Sequence, residues 1–469
     1  MNARAFRTLR WLISFLPFLA GTLPAGAAAK PTHPEPFQDG DRWAVIGDGV
    51  THHGTYQQWI NLFYLTRFPD RTIDVYNCGI AGDRAGGAVR RLDWDVLSHQ
   101  PTVATVMFGM SDVDRSLYGD APATPSIATQ RQAALNAYRV NLRALVEKLQ
   151  GAGVRVILLT PTIFDQTADL AAPKQTGINE ALGECAAFTQ ELAGETGAAF
   201  VDFYDPMMRI THSRQARDPG FTLIGPDRIH PGEPGSFLMA YLFLMAQVGP
   251  QDVSRIAVDV KAGRVVEAYN GVMENIVRQA DGITFTWTAR ALPFPVDSAI
   301  EPALAWVPFI SDLNREMLQV AGLAPGTYEL RIDEVPIRQY SADDLAKGVN
   351  LAVELRTPEY DQARSVLRLL RAETALVADN LRTVAQVEHQ SAPDLAHPVT
   401  LEQMQPYLLK RLQVFRENPP DPAVRRPVDL YADLKGREEE SRASARRMIQ
   451  LARLAVQPQP RAYSIRLVK

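Results

Sequence analysis

The stretch that decides the fold is VIGDGVTHHG, residues 45–54. The apolar run Trp43–Ile46 stops abruptly at Gly47-Asp48-Gly49, and polar residues follow. This pattern is typical of a buried strand that delivers a tight turn to the edge of a sheet. Parallel sheets keep their chemistry at such strand ends. We therefore expect the turn to lie in a functional site, although the position where a nucleophile would be looked for is Gly49, which has no side chain.

Around this turn, strand-like and helical segments alternate as far as residue 248. Five apolar or β-branched runs are separated by amphipathic segments with helical periodicity. The five runs are 43–46, 73–77, 103–108, 154–160 and 198–203. Alternation at this spacing predicts right-handed βαβ units and a five-stranded parallel sheet with helices on both faces. Residues 41–249 are therefore predicted to form one three-layer αβα sandwich of the α/β class.

The first 29 residues have the pattern of a secretory signal peptide. Three arginines precede the apolar run Trp11–Leu23, and Ala27-Ala28-Ala29 provides the small residues that a signal peptidase accepts. The Pro-rich segment 30–40 is predicted to be a linker. We expect a periplasmic or extracellular protein without a membrane span after signal cleavage, because no later apolar segment approaches the ~20 residues that cross a bilayer.

Charge and cysteine content exclude two classes of function. The chain has 49 basic and 53 acidic side chains, and loss of residues 1–29, with three arginines and no acid, would leave a net charge of about −7. We expect no nucleic-acid partner, because binding phosphates requires a basic face. Cys78 and Cys185 are too few for a metal-binding cysteine cluster. Export would permit them to pair, but two buried thiols are the simpler expectation.

Beyond residue 250 the pattern changes twice. Residues 251–350 carry alternating and β-branched segments separated by turns, which predicts a small β-rich domain of antiparallel sheet. Residues 355–469 are predicted to form a helical C-terminal region, because Glu359–Gln390 has helical periodicity without Gly or Pro. A Pro-rich interruption at 417–427 precedes a second charged helix at 429–456.

Four short motifs follow the predicted strands in order: Gly47-Asp48-Gly49, NCGIAGD at 77–83, GMSD at 109–112 and DRIHP at 227–231. In a parallel sheet, all four loops can converge on one edge. Together they resemble the SGNH/GDSL hydrolase family, in an exported bacterial subgroup with a C-terminal extension. The resemblance covers residues 41–248. It implies a flavodoxin-like sandwich and a serine esterase whose substrates could include acyl esters of carbohydrates; we expect no cofactor.

The family's site residues are only partly present in this sequence. His230 matches the general base and Asp227 the carboxylate that orients it, a pair that acyl transfer needs for its proton transfers. Gly82 matches the glycine whose backbone N–H faces the developing oxyanion. Asp48 belongs to the same constellation. Two positions depart from the family: the nucleophilic serine is replaced by Gly49, and the amide side chain that stabilises the oxyanion is replaced by Ser111.

Without a nucleophile, the covalent route should be slower by several orders of magnitude. The sequence therefore predicts a weakly active or inactive hydrolase. One alternative is an active ester hydrolase in which His230 activates water, or in which Ser111 or, less favourably, Thr51 attacks the ester. The other alternative is a non-catalytic module that binds a carbohydrate or a partner.

His52 and His53, close to Asp48, raise the question of a metal site. Adjacent residues of an extended segment point in opposite directions, so at most one histidine would face the cleft. We therefore predict a polar loop and no metal.

Overall fold

A five-stranded parallel sheet forms the first part of the computed structural model, which describes residues 32–119 and 123–468. The predicted signal peptide lies outside the described residues. The strands are β1 Arg42–Gly47, β2 Asp74–Gly79, β3 Val103–Met107, β4 Arg155–Leu159 and β5 Ala199–Val201. They lie in the order β2-β1-β3-β4-β5, and every neighbouring pair is parallel. The predicted fold class is confirmed.

Helices cover both faces of this sheet. They are α1 Gly49–His53, α2 Thr55–Arg67, α3 Ala85–Arg91, α4 Pro125–Gly151, α5 Ile178–Thr196, α6 Tyr204–Gln215 and α7 Glu233–Gln247. Successive side chains of β1 enter opposite cores, as a strand buried on both sides requires. Trp43 and Val45 pack in the core that contains α2 and α7, whereas Ala44 and Ile46 pack in the core that contains α3, α4 and α5. This alternation produces the three layers.

Two further sheets form the second part of the molecule. Their strands are β6 Asp252–Asp259, β7 Arg264–Tyr269, β8 Gly271–Gln279, β9 Gly282–Ala289, β10 Arg315–Ala321, β11 Thr327–Ile332, β12 Val335–Ser341, β13 Val349–Asn350 and β14 Pro460–Leu467. One sheet has the order β13-β10-β6-β7 and the other β12-β11-β14-β9-β8. Both sheets contribute to one core, which includes Trp287, Leu318 and Ile465.

Two features of this β-rich part differ from our expectation. The prediction of a wholly antiparallel sheet was wrong for one pair, because β6 and β10 are parallel. The chain between them is long enough to cross over and re-enter in the same direction. Residues 460–467, which we expected to be helical, form β14. Its buried residues are Tyr463 and Ile465, with a period of two that is typical of a strand.

The remaining helices lie in the β-rich part and in the C-terminal part. The β-rich part contains α8 Phe309–Leu313 and α9 Ala342–Lys347, and the C-terminal part contains α10 Pro358–Leu376, α11 Thr383–Ser391, α12 Leu401–Glu417, α13 Pro422–Gly436 and α14 Glu438–Ala455. A π-helical turn, 377–382, joins α10 to α11. The predicted Pro-rich interruption is short, because Pro422 occupies the first turn of α13, where a missing N–H removes no helical hydrogen bond. No helix in the described part of the chain is long and apolar enough to span a bilayer.

Because β14 lies in the middle of its sheet, its inward side chains should dominate the stability of the β-rich part. We expect Ile465→Ala, at a fully buried site, to lower the free energy of unfolding by about 3 kcal/mol. Leu467→Ala, on the same face of β14 but 38% exposed, should cost clearly less. Urea unfolding of both variants tests this, and equal losses would contradict a central position for β14.

Candidate active site

The predicted loops meet in one cavity of about 760 Å³. Five of the six positions singled out from the sequence line it: Asp48, Gly49, Gly82, Ser111 and His230. The sixth, Asp227, does not line the cavity but holds His230. The convergence arises because the loops follow the carboxyl ends of neighbouring parallel strands.

Asp227 and His230 form a tight pair. The Asp227 Oδ2 atom accepts a hydrogen bond from His230 Nδ1 at 2.6 Å. The Oδ1 atom accepts from the backbone N–H groups of Ile229 and His230, both at 3.0 Å. Partial burial would raise the pKa of Asp227, but these hydrogen bonds outweigh it and hold the pKa below its usual value. With Nδ1 donating to a carboxylate, His230 Nε2 is the ring atom available to accept a proton.

His230 points at Gly49. A β-carbon added to Gly49 would lie 2.9 Å from His230 Nε2, with the next neighbours at 3.7 and 4.0 Å. Gly49 is the first residue of α1 and has no left-handed backbone that would require glycine. Position 49 therefore offers no side-chain atom to His230 Nε2. The His230 side chain is 40% exposed to solvent.

The loop after β2 contains a glycine, Gly82, whose backbone N–H group can donate a hydrogen bond. Gly82 has a φ of 76°, a left-handed conformation that favours glycine. Among residues 32–119 and 123–468, the N–H groups of Gly49 and Gly82 have no hydrogen-bond acceptor. Both residues line the cavity. Their N–H groups are therefore free for a ligand oxygen.

Comparison with known proteins assigns a family to this arrangement. The model of the GDSL-like lipase/acylhydrolase family matches residues 45–236. Residues 45–236 therefore form a GDSL-like domain. The acetylxylan esterase of Geobacillus stearothermophilus is 23% identical over 220 residues, or 44% of this chain and 93% of that protein. The uncharacterized lipoprotein YqeF of Bacillus subtilis is 31% identical over 104 residues, or 22% of this chain and 38% of that protein.

One solved structure resembles the whole molecule and not only its GDSL domain. It is a gut microbial diltiazem-metabolizing enzyme, 29% identical, which covers 94% of this chain and 100% of its own with a TM-score of 0.82. The similarity therefore includes the two β sheets and the C-terminal helices. The three-part architecture is shared with that enzyme.

The turn after β1 of the GDSL domain differs from our expectation. Asp48 caps α1 by accepting from the Val50 N–H at 3.3 Å, so residues 49–53 are helical rather than extended. As a result, both His52 and His53 line the cavity, and the prediction that at most one would do so was wrong. In the described part of the chain, no group of three or more His, Cys, Asp or Glu side chains is placed to hold a metal ion.

The two histidines support neighbouring groups. His53 Nδ1 donates to the Gly49 carbonyl at 2.7 Å, and its ring meets the His230 ring edge to face, with centroids 5.0 Å apart. His52 Nδ1 accepts from the Ala81 N–H at 3.2 Å, and burial lowers the pKa of His52 to about 3. A neutral His52 thus fixes the loop that carries Gly82.

Other polar groups near the cavity have structural partners. Thr51 is fully buried, and its hydroxyl bonds to Tyr56 at 3.2 Å, so it does not face the cleft. Asp112 accepts from the N–H groups of Ala85 and Gly109, and burial raises the pKa of Asp112 to about 7. Both thiols, Cys78 and Cys185, are free and buried. Arg115, four residues after Ser111, also lines the cavity and was not predicted from the sequence.

C-terminal helices supply the opposite wall of the cavity, which the sequence did not predict. The wall consists of Asp379, Asn380, Thr383, Gln386, Ala423, Arg426, Pro427, Leu430 and Leu434. Gln390 Nε2 donates to the Ala81 carbonyl at 2.9 Å. The helices therefore contact the Gly82 loop directly, in addition to enclosing the cavity.

A buried charge network holds these helices in place. Arg382 donates to both carboxylate oxygens of Asp95, at 2.7 and 2.8 Å, and to the Gly79 carbonyl at 2.9 Å. Arg91 donates to Asp95 as well, and to Asp83 at 2.8 Å. Burial alone would raise the pKa of Asp95, but Arg382 and Arg91 hold it well below its usual value. The carboxylate is therefore charged and fully paired.

We expect Arg382→Met to lower the free energy of unfolding by about 3 kcal/mol, because it removes one partner of a buried ion pair. The control is Arg442→Met on α14, which breaks an ion pair to Glu438 at a side chain 40% exposed and should cost no more than about 1 kcal/mol. Urea unfolding measures both. Equal losses would show that the network contributes no more than a surface pair.

Asp48 should make stability depend on pH. Burial raises the pKa of Asp48 to about 6, so the folded state binds its proton more tightly than the unfolded chain does. Stability from this group is present at low pH and is lost as the pH rises through about 6. Asp48→Asn should therefore gain stability over the wild type between pH 5 and pH 8, by on the order of 2 kcal/mol. Urea unfolding at both pH values checks this, with the exposed Asp70→Asn as a control that should show no such gain.

Proposed function

We propose that this chain is an exported ester hydrolase with slow turnover, in which His230 activates a water molecule instead of a serine. The observation that carries the proposal is the intact Asp227–His230 pair, at 2.6 Å, aimed at a residue without a nucleophilic side chain. A general base with nothing to deprotonate on the protein can still deprotonate water.

The reaction uses the groups that line the cavity. Asp227 keeps Nδ1 of His230 protonated, so Nε2 accepts a proton from water as its oxygen attacks the ester carbonyl. The negative charge that develops on the carbonyl oxygen is stabilised by the N–H groups of Gly49 and Gly82 and by the Ser111 hydroxyl. His230 then returns the proton to the leaving alcohol as the carbon–oxygen bond breaks. The products are the free acid and the alcohol.

Two features explain why turnover is slow. Without a nucleophile at position 49, the reaction has no covalent intermediate to divide one difficult step into two easier ones. The hydroxyl of Ser111 has a shorter reach than the amide it replaces. Loss of one oxyanion donor reduces kcat by roughly 10² to 10³ in a well-studied protease. We therefore place the activity far below that of an ordinary esterase.

The comparisons support ester hydrolysis as the reaction but do not identify the alcohol part of the substrate. One relative is named an acetylxylan esterase, and the protein that shares the whole architecture is a diltiazem-metabolizing enzyme. Ester cleavage fits the family, and a carbohydrate acyl ester is one possible substrate class. Export is supported by the signal-like residues 1–29 and by the relative named as a lipoprotein.

With p-nitrophenyl acetate, we expect the purified protein to show slow turnover that His230→Ala abolishes. Gly49→Ser should increase the rate by at least tenfold, because its hydroxyl would lie beside His230 Nε2 once the ring moves away from the added β-carbon, 2.9 Å from Nε2 in the present arrangement. Gly49→Ala is the matched control: it adds the same β-carbon without a nucleophile and should give no increase.

Ser111→Ala distinguishes water from a relocated nucleophile. If water attacks, the variant should keep part of the activity and a fluorophosphonate probe should label no residue. A covalent adduct on Ser111 would show instead that this hydroxyl is the nucleophile. Turnover at the level of an ordinary esterase would contradict the proposal of a slow enzyme.

A further inference from the structure

One wall of the cavity is an apolar stripe on α13. The stripe consists of Ala423, Pro427, Leu430 and Leu434, whose spacings of four, three and four residues place them on one face of a helix. The neighbouring face of α13 already has a partner, because Val428 and Tyr431 are buried in the core formed with α11 and α12. Leu430 is nevertheless 38% exposed. Leu434 is buried in that core as well, so the apolar surface that α13 leaves open to the cavity consists of Ala423, Pro427 and Leu430.

The opposite wall adds apolar surface next to the reacting groups. Val50, Met110 and Ile229 line the cavity on the side of the GDSL domain. The cavity has a volume of about 760 Å³, which lies within the range of roughly 300–1,000 Å³ that is typical of pockets for drug-sized ligands. Val50 and Met110 are almost fully buried, so Ile229 is the main aliphatic side chain that a ligand spanning from His230 to α13 would contact on this side.

The described lining of the same cavity offers no flat aromatic surface on which a sugar ring could stack. Flat aromatic side chains supply an apolar face for stacking together with defined geometry. Within residues 32–119 and 123–468, the lining of this cavity contains no Trp, Tyr or Phe side chain. Polar side chains such as Asp379, Asn380 and Arg426 also line the cavity and can bond to hydroxyl groups, but the face of a sugar ring would have no aromatic partner there.

We propose that the substrates are esters that carry an extended apolar group, alkyl or aryl, and that the α13 stripe binds this group. The proposal rests on the ester chemistry proposed above for the same cavity. It assigns substrate selection to a helix outside the matched residues 45–236. Apolar contact area then determines affinity, while Asp227 and His230 act on the ester group itself.

Binding of unreactive amides tests the proposal without relying on turnover. By titration calorimetry on the purified protein, N-octylacetamide should bind at least tenfold more tightly than N-butylacetamide, because each fully buried methylene contributes about a fourfold gain in affinity. Acetylated xylobiose should bind more weakly than N-octylacetamide. If the two amides bind equally, or if the acetylated sugar binds more tightly, the proposal is wrong.

A matched pair of variants locates the apolar group. Leu430→Gln should weaken N-octylacetamide binding about fivefold or more. Leu451→Gln on α14, at a leucine 44% exposed that does not line the cavity, should leave the affinity unchanged. Equal effects would overturn the assignment to α13.

The two proposals can fail separately. Absence of p-nitrophenyl acetate turnover, with chain-length-dependent amide binding intact, would reject the hydrolase and retain the apolar site. Turnover that depends on His230, with no preference for the longer amide, would retain the hydrolase and reject the apolar site.

Discussion

The buried carboxylate of Asp95 is the constraint on which the assembly of this molecule depends. It lies among apolar surroundings between two arginines, and one of them, Arg382, is 287 residues further along the chain. A carboxylate that is buried this deeply and remains charged needs charged partners to offset the loss of its hydration. The C-terminal helices must therefore dock on the GDSL domain in one position, and this position also places Gln386 and Gln390 beside the Gly82 loop. The pairing of these buried charges thus determines where the C-terminal helices lie and, with them, the shape of the cleft.

The part of the fold that could be predicted is the part whose elements carry their own periodicity. Trp43–Ile46 and the four later runs are apolar enough to be buried on both faces, and the helices between them repeat every three to four residues. By contrast, nothing local distinguishes Arg382 from a solvated arginine on a charged helix. Its burial depends on Asp95 and Gly79, which are distant in sequence. The opposite wall of the cavity was missed for the same reason.

The candidate site, like the fold, could be predicted from the sequence only in part. Its loops converge because parallel strands share an edge, so topology alone brings Gly49, Gly82, Ser111 and His230 to one cavity. The local geometry of the first turn was predicted incorrectly, although Asp48 is a preferred helix-capping residue and its presence before residue 49 was a usable signal. Which side of α13 would face the cleft could not be predicted, because both its faces carry apolar residues at helical spacing.

The central position of β14 has a consequence for the order in which the molecule folds. Strands β9 and β11 are not paired with each other; each pairs with β14, which follows all the C-terminal helices in the chain. Until residues 460–467 are in place, both strands therefore expose an unpaired edge. Such edges template association between chains, and pairings this distant in sequence form slowly. The GDSL domain can assemble early from neighbouring segments, whereas the β-rich part is completed last and is the stage at which the nascent protein is most vulnerable to aggregation.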